Sequence, residues 1–208
     1  AGYNLLFLYL QEQNKDKIEG FLRKQNEVLH YFLRYPQYLL FRWNVNSYGV
    51  LIKGEMSQLE ELAGNCIDYI ERICSDGELL EWYVAVGKPV ERLSLLPQCY
   101  QSVNHYFAYR FMVPGIHVLT EKTLENYVNS QEENQLNGVD SSQLNPEIIK
   151  DFLMKGNCCE IQEFVQGYLG GMSKALESRM FRDYMVLHVR FTAMMYLEAL
   201  GVPKEAYT

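Results

Sequence analysis

The chain opens on an apolar run. Tyr3–Leu10 reads Tyr-Asn-Leu-Leu-Phe-Leu-Tyr-Leu, the length and density of a buried central strand. Polar residues from Gln11 to Lys17 predict an exit loop. Apolar positions at Ile18, Phe21, Leu22, Leu29, Phe32 and Leu33 then recur at helical spacing, and Pro36 forces that helix to end. Tyr38–Trp43 and Tyr48–Lys53 are short aromatic and β-branched runs separated by Asn44-Val45-Asn46-Ser47. They predict a β-hairpin whose asparagines suit the turn. Ser57-Gln58-Leu59-Glu60 has the form of a capping box for a helix with the stripe Leu59, Leu62, Ala63, Cys66, Ile67, Ile70, Ile73 and Cys74, closing at Ser75-Asp76-Gly77.

Leu80–Val86 is again strand-like. Gly87 lets the backbone turn and Pro89 cannot donate to a ladder, so the strand stops there. A helix follows, reaching Phe111, with Ser94 or a neighbour as its cap and Pro97 in its first turn. After Pro114-Gly115 comes a last short strand at Ile116–Leu119, and Thr120–Tyr127 adds a short helix. The order strand, helix, hairpin, helix, strand, helix, strand predicts helices packed on a mainly antiparallel sheet, an α+β fold.

Beyond this, Asn129–Asn145 is rich in Gln, Asn and Ser and reads as a linker or surface loop. Asn145-Pro146-Glu147 starts a helix with the stripe Ile148, Ile149, Phe152 and Leu153, ended by Gly156. A second helix carries Ile161, Phe164, Val165, Tyr168, Leu169 and Met172. A third, Phe181–Leu200, is apolar on most sides and is expected to be buried against other helices, with Gly201 and Pro203 stopping it. The division expected is 1–128 for the sheet domain, 129–144 for a polar linker and 145–208 for a helical connector or dimerisation segment. The third helix has more apolar surface than a lone small bundle needs, so self-association as a homodimer is expected through it.

Gly87-Lys88-Pro89-Val90, Leu93, Leu96-Pro97 and Cys99-Tyr100 also stand in an order that resembles a known segment, G-R-P-V-x-x-L-x-x-L-P-x-S-Y. That segment belongs to the catalytically degenerate cyclase-like (GGDEF-like) domain of bacterial transcription regulators, notably AraC-type response regulators of the YesN kind. The match departs at Val103 and Tyr106, where the family carries small alanines. The resemblance implies a cyclase/GGDEF-like (ferredoxin-like) antiparallel sheet followed by a C-terminal helical segment. It gives Gly87, Pro89, Leu93, Leu96, Pro97 and Tyr100 as structural motif residues. It also implies that DNA is bound only through a domain outside this fragment.

Charge and chemistry narrow the function. The net charge of −7 offers no basic footprint for nucleic acid, and the 16 Tyr and 10 Phe read as core rather than as a stacking platform. No apolar run spans a bilayer, and the N-terminus does not resemble a signal peptide. The chain begins Ala1-Gly2 without an initiator Met and reads as a piece of a longer protein, Ala1 being a residue left by a tag. The five cysteines fit no zinc spacing; Cys66 and Cys74 fall on a helix stripe, as reduced core residues of a cytoplasmic protein, and nothing basic flanks Cys158-Cys159 to activate a thiol.

An active cyclase of this fold uses carboxylates at the end of the first strand and in the hairpin to hold two divalent ions. Here the first strand runs into Gln11-Glu12-Gln13, and the hairpin turn Trp43-Asn44-Val45-Asn46-Ser47-Tyr48 contains no acid. No catalytic residue, metal ligand or cofactor is expected. His30, His105, His117 and His188 form no metal-ligand pair or nucleophile motif, and Gly170-Gly171 lacks the strand and Lys of a phosphate loop, so it reads as a helix break or close packing. The expectation is a non-catalytic regulatory region. The alternative is a small-molecule or nucleotide sensor with Asn44, Asn46 and Tyr48 as the polar edge of its cleft, and an active cyclase is the least favoured reading.

Overall fold

The computed structural model describes residues 1–42, 44–75, 79–113, 115–134, 144–173, 176 and 179–207. Trp43, Asp76-Gly77, Pro114 and residues 135–143 of the expected linker lie outside the described residues. By its contacts the chain forms two compact units, Ala1–Arg110 with Gly115–Asn126, and Phe111–Pro114 with Tyr127–Thr208.

The first unit is α+β. Its elements are β1 (Gly2–Glu12), α1 (Ile18–Leu33), β2 (Tyr38–Arg42), β3 (Ser47–Gly54), α2 (Leu59–Cys74), β4 (Leu80–Val86), α3 (Leu96–Ala108), β5 (Val118–Leu119) and the start of α4 (Glu121–Asn134). The five strands lie in the order β2-β3-β1-β4-β5. All neighbours are antiparallel except β4 and β5. β3 lies between β1 and β2, which makes β1-α1-β2 a split β-α-β unit of the ferredoxin-like kind.

Strand alternation assigns the two faces. Leu6, Leu8 and Leu10 of β1 join Tyr48, Val50 and Ile52 of β3 and Leu80, Trp82 and Val84 of β4 in one buried cluster. Phe21, Val28 and Phe32 of α1 and Leu59, Ala63, Cys66, Ile70 and Cys74 of α2 close it from above. The opposite face presents Leu5, Phe7 and Tyr9. Rings from α3 cover part of it: Tyr100 and Phe107 meet Phe7 edge-on at 5.7 Å each.

Several boundaries differ from the sequence reading. β1 runs on through Gln11 and Glu12, expected in the exit loop, because these residues pair with Glu81 and Leu80. The last strand is shorter than Ile116–Leu119. His117 precedes it, accepting from the Val84 amide at 2.8 Å and stacking on Trp82 at 4.6 Å. The Ser57–Glu60 capping box is not formed, since a 3₁₀ turn at Met56–Gln58 moves the helix start to Leu59 and neither turn nor helix has a side-chain cap. Ser94 likewise caps nothing; it lies inside a 3₁₀ turn, Leu93–Leu95, with Pro97 in the first turn of α3.

The second unit is helical: α5 (Pro146–Lys155), α6 (Ile161–Gly170) and α7 (Arg179–Ala199), preceded by the rest of α4. α4 extends to Asn134, so residues 129–134 are helix rather than linker. Asn145 caps α5 by accepting from the Glu147 amide at 3.0 Å. Asn157 and Glu160 form a reciprocal capping box ahead of α6. Ile149, Phe152, Phe164, Tyr168, Met172 and Met185 make the core, with Phe152 stacked on Phe164 at 4.0 Å. Nothing approaches the Cβ position of Gly170, so the glycine pair ends α6 rather than allowing close packing. α7 is not buried on most sides. Met185 and Thr192 face the core, whereas Val186, Leu187, Phe191 and Met195 are exposed.

Candidate functional site

The β2–β3 turn holds itself together. The Asn46 amide donates to Asn44 Oδ1 at 2.9 Å, the Asx turn that favours asparagine at such positions. Arg42 ties down the turn's carbonyls, Nε donating to Asn44 O at 2.8 Å and Nη2 to Val45 O at 2.5 Å. The Leu10 amide donates to Asn46 O at 2.9 Å, anchoring the turn to the central strand.

Tyr48 faces elsewhere. One residue past Ser47 it points to the α1 side, where its ring is part of the core and its hydroxyl accepts from Gln25 Nε2 at 3.1 Å. Asn44 and Asn46 are therefore together, and Tyr48 lies on the other face of the sheet. Asn44 and Asn46 lie in the turn ahead of β3, where the alternation of strand faces does not hold, so the spacing of two does not bring Tyr48 to their side.

Asn46 instead meets residues that the sequence reading left as core. Its side chain hydrogen-bonds with the Tyr9 hydroxyl, which also donates to Gln11 Oε1. Burial first, and the negative charge of Glu81 second, push the Tyr9 phenol far above its usual range, so it stays a neutral donor at any physiological pH. Arg110 is 5% exposed. Its guanidinium lies 4.0 Å from the Phe107 ring centroid and 5.7 Å from that of Tyr9, and Nη1 donates to Phe107 O at 2.9 Å. Ser47, 1% exposed and paired in register with Tyr9, has a buried Oγ without a hydrogen-bond partner. Two patterns could have revealed this group: period-two alternation puts Tyr9 and Gln11 on one face, and an arginine among aromatics ends α3.

Gln11, Asn44 and Asn46 carry neutral amides, which bind divalent cations weakly, and Glu12 ends β1. Among the described residues no group of three or more His, Cys, Asp or Glu side chains converges as metal ligands. The Phe41 ring lies over Gly49, and a Cβ built on Gly49 would collide with it.

The motif residues around Gly87 make a structural joint. The Gly87 amide donates to Leu5 O at 2.9 Å, and Tyr3 and Val90 exchange amide bonds of 2.8 Å, so the segment stays tied to β1 beyond Pro89. Ser102 of α3 accepts from the Lys88 amide at 2.9 Å and donates to Cys99 O at 2.8 Å. A Cβ on Gly87 would sit 2.9 Å from that same Cys99 carbonyl oxygen, which explains the glycine. Leu96 and Pro97 set the first turn of α3, Tyr100 packs on Phe7, and Leu93 is 56% exposed. Neither a protein-family model nor any curated protein matches the chain.

Proposed function

We propose that this chain is a non-catalytic regulatory region of a bacterial AraC-type transcription regulator, a degenerate cyclase-like domain that relays a signal within a homodimer. The observation that carries the reading is the chemistry at the end of β1 and in the hairpin turn. The turn from Asn44 to Ser47 carries two amides and no acid, Gln11 precedes the carboxylate of Glu12 at the end of β1, and Phe41 fills the space over Gly49. The Gly87–Tyr100 segment supports the family assignment by its residue order, and its role as a joint between β1 and α3 suits a structural motif. DNA contact belongs to a domain outside this fragment, in keeping with a net charge of −7. The cytoplasm is the compartment that suits a regulator with unpaired cysteines.

The test is to read the parent gene past Thr208. Roughly a hundred basic residues forming paired helix-turn-helix units are expected. A stop codon there, or a domain of another kind, removes the regulator reading. Incubation with magnesium and nucleoside triphosphates is expected to yield no turnover.

A second reading, a small-molecule sensor, is favoured by the Ser47 hydroxyl, since a buried hydroxyl without a partner has hydrogen-bonding capacity that a ligand can use. Thermal-shift screening with nucleotides and small metabolites tests it, because any ligand of the native state raises the midpoint by mass action. A flat screen ends that reading.

A further inference from the structure

β2 is an open edge. The strand order β2-β3-β1-β4-β5 leaves one side of Tyr38–Arg42 with no neighbouring strand among the described residues. The ladder fixes which groups face that side. The Lys53 amide donates to Gln37 O at 2.8 Å, so Gln37, and with it Leu39 and Phe41, turn their backbone groups to β3. The N–H and C=O of Leu40, the C=O of Tyr38 and the N–H of Arg42 therefore point outward. Edge strands are ordinarily guarded by internal lysines, prolines or bulges, or by being very short. β5, at the other edge, is two residues long. β2 lacks these guards. Its register with β3 is unbroken from Tyr38 to Arg42, Leu39 and Phe41 are 62% and 41% exposed, and its one charge, Arg42, stands at the end.

The strand complements itself. Laid antiparallel against a second β2 about a twofold axis at Leu40, it sets Leu40 against Leu40 and each Tyr38 against the other copy's Arg42. These are the outward-facing positions. The two Leu40 residues exchange hydrogen bonds, and each Arg42 amide donates to a Tyr38 carbonyl. On the sheet face away from α1, each Leu39 meets a Phe41.

α1 adds a second layer. Phe32 meets Tyr38 edge-on at 5.7 Å and Gln25 bonds to Tyr48, which places α1 over β2 and β3. α2 flanks it on the Tyr31 side, where Tyr31 stacks on Tyr69 at 4.2 Å. At 100° per residue, Ile18, Leu22, Leu29 and Leu33 share the flank away from Tyr31, bordered by Glu19 and His30 and with no charge among them. Leu22 and Leu33 are 45% and 66% exposed. A twofold axis normal to the sheet keeps both copies of α1 on one face and turns these flanks toward each other. An extended peptide would cover the strand edge and leave the helix flank bare, whereas a second copy covers both. We infer that the β2 edge and the adjoining flank of α1 form a homodimer surface, in which two copies of the sheet join β2 to β2 as one continuous sheet. The inference gives a surface to the homodimer of the proposed function, but it does not depend on the regulator assignment.

Sedimentation equilibrium of the full chain tests it, with circular dichroism to verify that each variant keeps its fold. The wild type is expected to dimerise. Leu40→Pro removes the outward N–H at the axis and leaves the β2–β3 ladder intact, so it should give a folded monomer. L39K/F41K, at two exposed positions, sets like charges opposite one another and should also be monomeric. L39K/F41E sets a base against an acid in each pair, which the antiparallel register alone achieves, and should bind about tenfold more tightly than the double lysine variant. Leu33→Glu should weaken the wild-type dimer about tenfold. A monomeric wild type overturns the inference, as does a dimer indifferent to both Leu40→Pro and L39K/F41K. A dimer that breaks with Phe191→Glu instead belongs to α7. Equal affinities for L39K/F41K and L39K/F41E overturn the antiparallel register, and indifference to Leu33→Glu removes α1 from the surface. A missing DNA-binding domain downstream of Thr208 would remove the regulator reading and leave these results untouched.

Discussion

At the scale of single residues, burial decides what the chemistry can be. Cys66, Cys74 and Cys99 are buried and carry no disulfide, while Cys158 and Cys159 are exposed. Desolvation pushes the buried thiols up from 9.0, Cys66 and Cys99 to about 11 and Cys74 to about 12. Thiolates are the reactive form, so a thiol reagent at pH 8 should label two cysteines quickly and the other three only on unfolding. Rapid labelling of more than two in the native protein would contradict this burial. The same shifts fix a pH dependence. Unfolded thiols ionise near 9.0, native ones not before about 11, so between these values the native state holds more protons. The stabilisation is complete below pH 9 and is lost as pH rises toward 11 and 12, which denaturant midpoints measured across that range should show.

Gly87 is the residue where a single methyl matters most. Its Cβ position is hemmed by the Cys99 carbonyl oxygen at 2.9 Å, Ser102 Oγ at 3.0 Å and Cys99 Sγ at 3.1 Å. Backbone cannot swing aside as a side chain can, so Gly87→Ala must push α3 away from β1. The expected cost is about 1–3 kcal/mol, typical of overpacking. Gly49→Ala is the comparison: its neighbour is the Phe41 side chain, 41% exposed, rather than backbone. Urea denaturation should show the Gly87 variant to be the less stable of the two.

At the scale of elements, helix starts separate apparent from real capping. Asn145 is a working cap, bonded to the Glu147 amide, and Asn145→Ala should cost about 1 kcal/mol. Ser57 stands in the Met56–Gln58 turn and caps nothing, so Ser57→Ala should stay within about 0.5 kcal/mol of the parent. Chemical denaturation of the pair checks both; a large loss for Ser57→Ala would mean that the capping box forms after all.

The same contrast shows what the sequence could reveal. α1 and β4 were legible because their patterns are long, regular and ended by Pro36 and by Gly87-Lys88-Pro89. The Ser57 motif misled because a 3₁₀ turn, which leaves no periodic trace, shifts the helix start. α7 reads as buried because it is apolar on most sides, yet α5 and α6 supply a covering for one face only. Within the candidate site, Asn44 and Asn46 follow from turn chemistry. Tyr48 is the first residue after Ser47 within β3 and turns into the core, which the spacing of two from the turn asparagines does not reveal. Tyr9, Ser47 and Arg110 emerge only when register sets Tyr9 against Ser47 and the end of α3 brings a guanidinium over both aromatic rings.

At the scale of the molecule, the chain crosses between its two units more than once. Phe111–Pro114 lies between α3 and β5 in sequence but belongs by contact to the helical unit. Phe111 meets Phe152 edge-on at 5.2 Å and Phe164 at 5.7 Å, beside the stack that those two rings form. Among the described residues, the core under α1 and α2 draws on none from the helical unit. Each unit thus holds its own apolar cluster, so a mutation in one should be felt mainly there. Phe111→Ala removes a half-buried ring and should cost the helical unit about 2 kcal/mol, below the range for a fully buried phenylalanine. Far-ultraviolet circular dichroism reports helices of both units, whereas Trp43 and Trp82 both belong to the first unit, so tryptophan fluorescence follows that unit alone. Part of the circular dichroism signal should shift to lower urea while the tryptophan signal keeps its midpoint. Equal displacement of both signals would mean that the chain unfolds as one cooperative body, because coincident probes are the mark of a two-state transition.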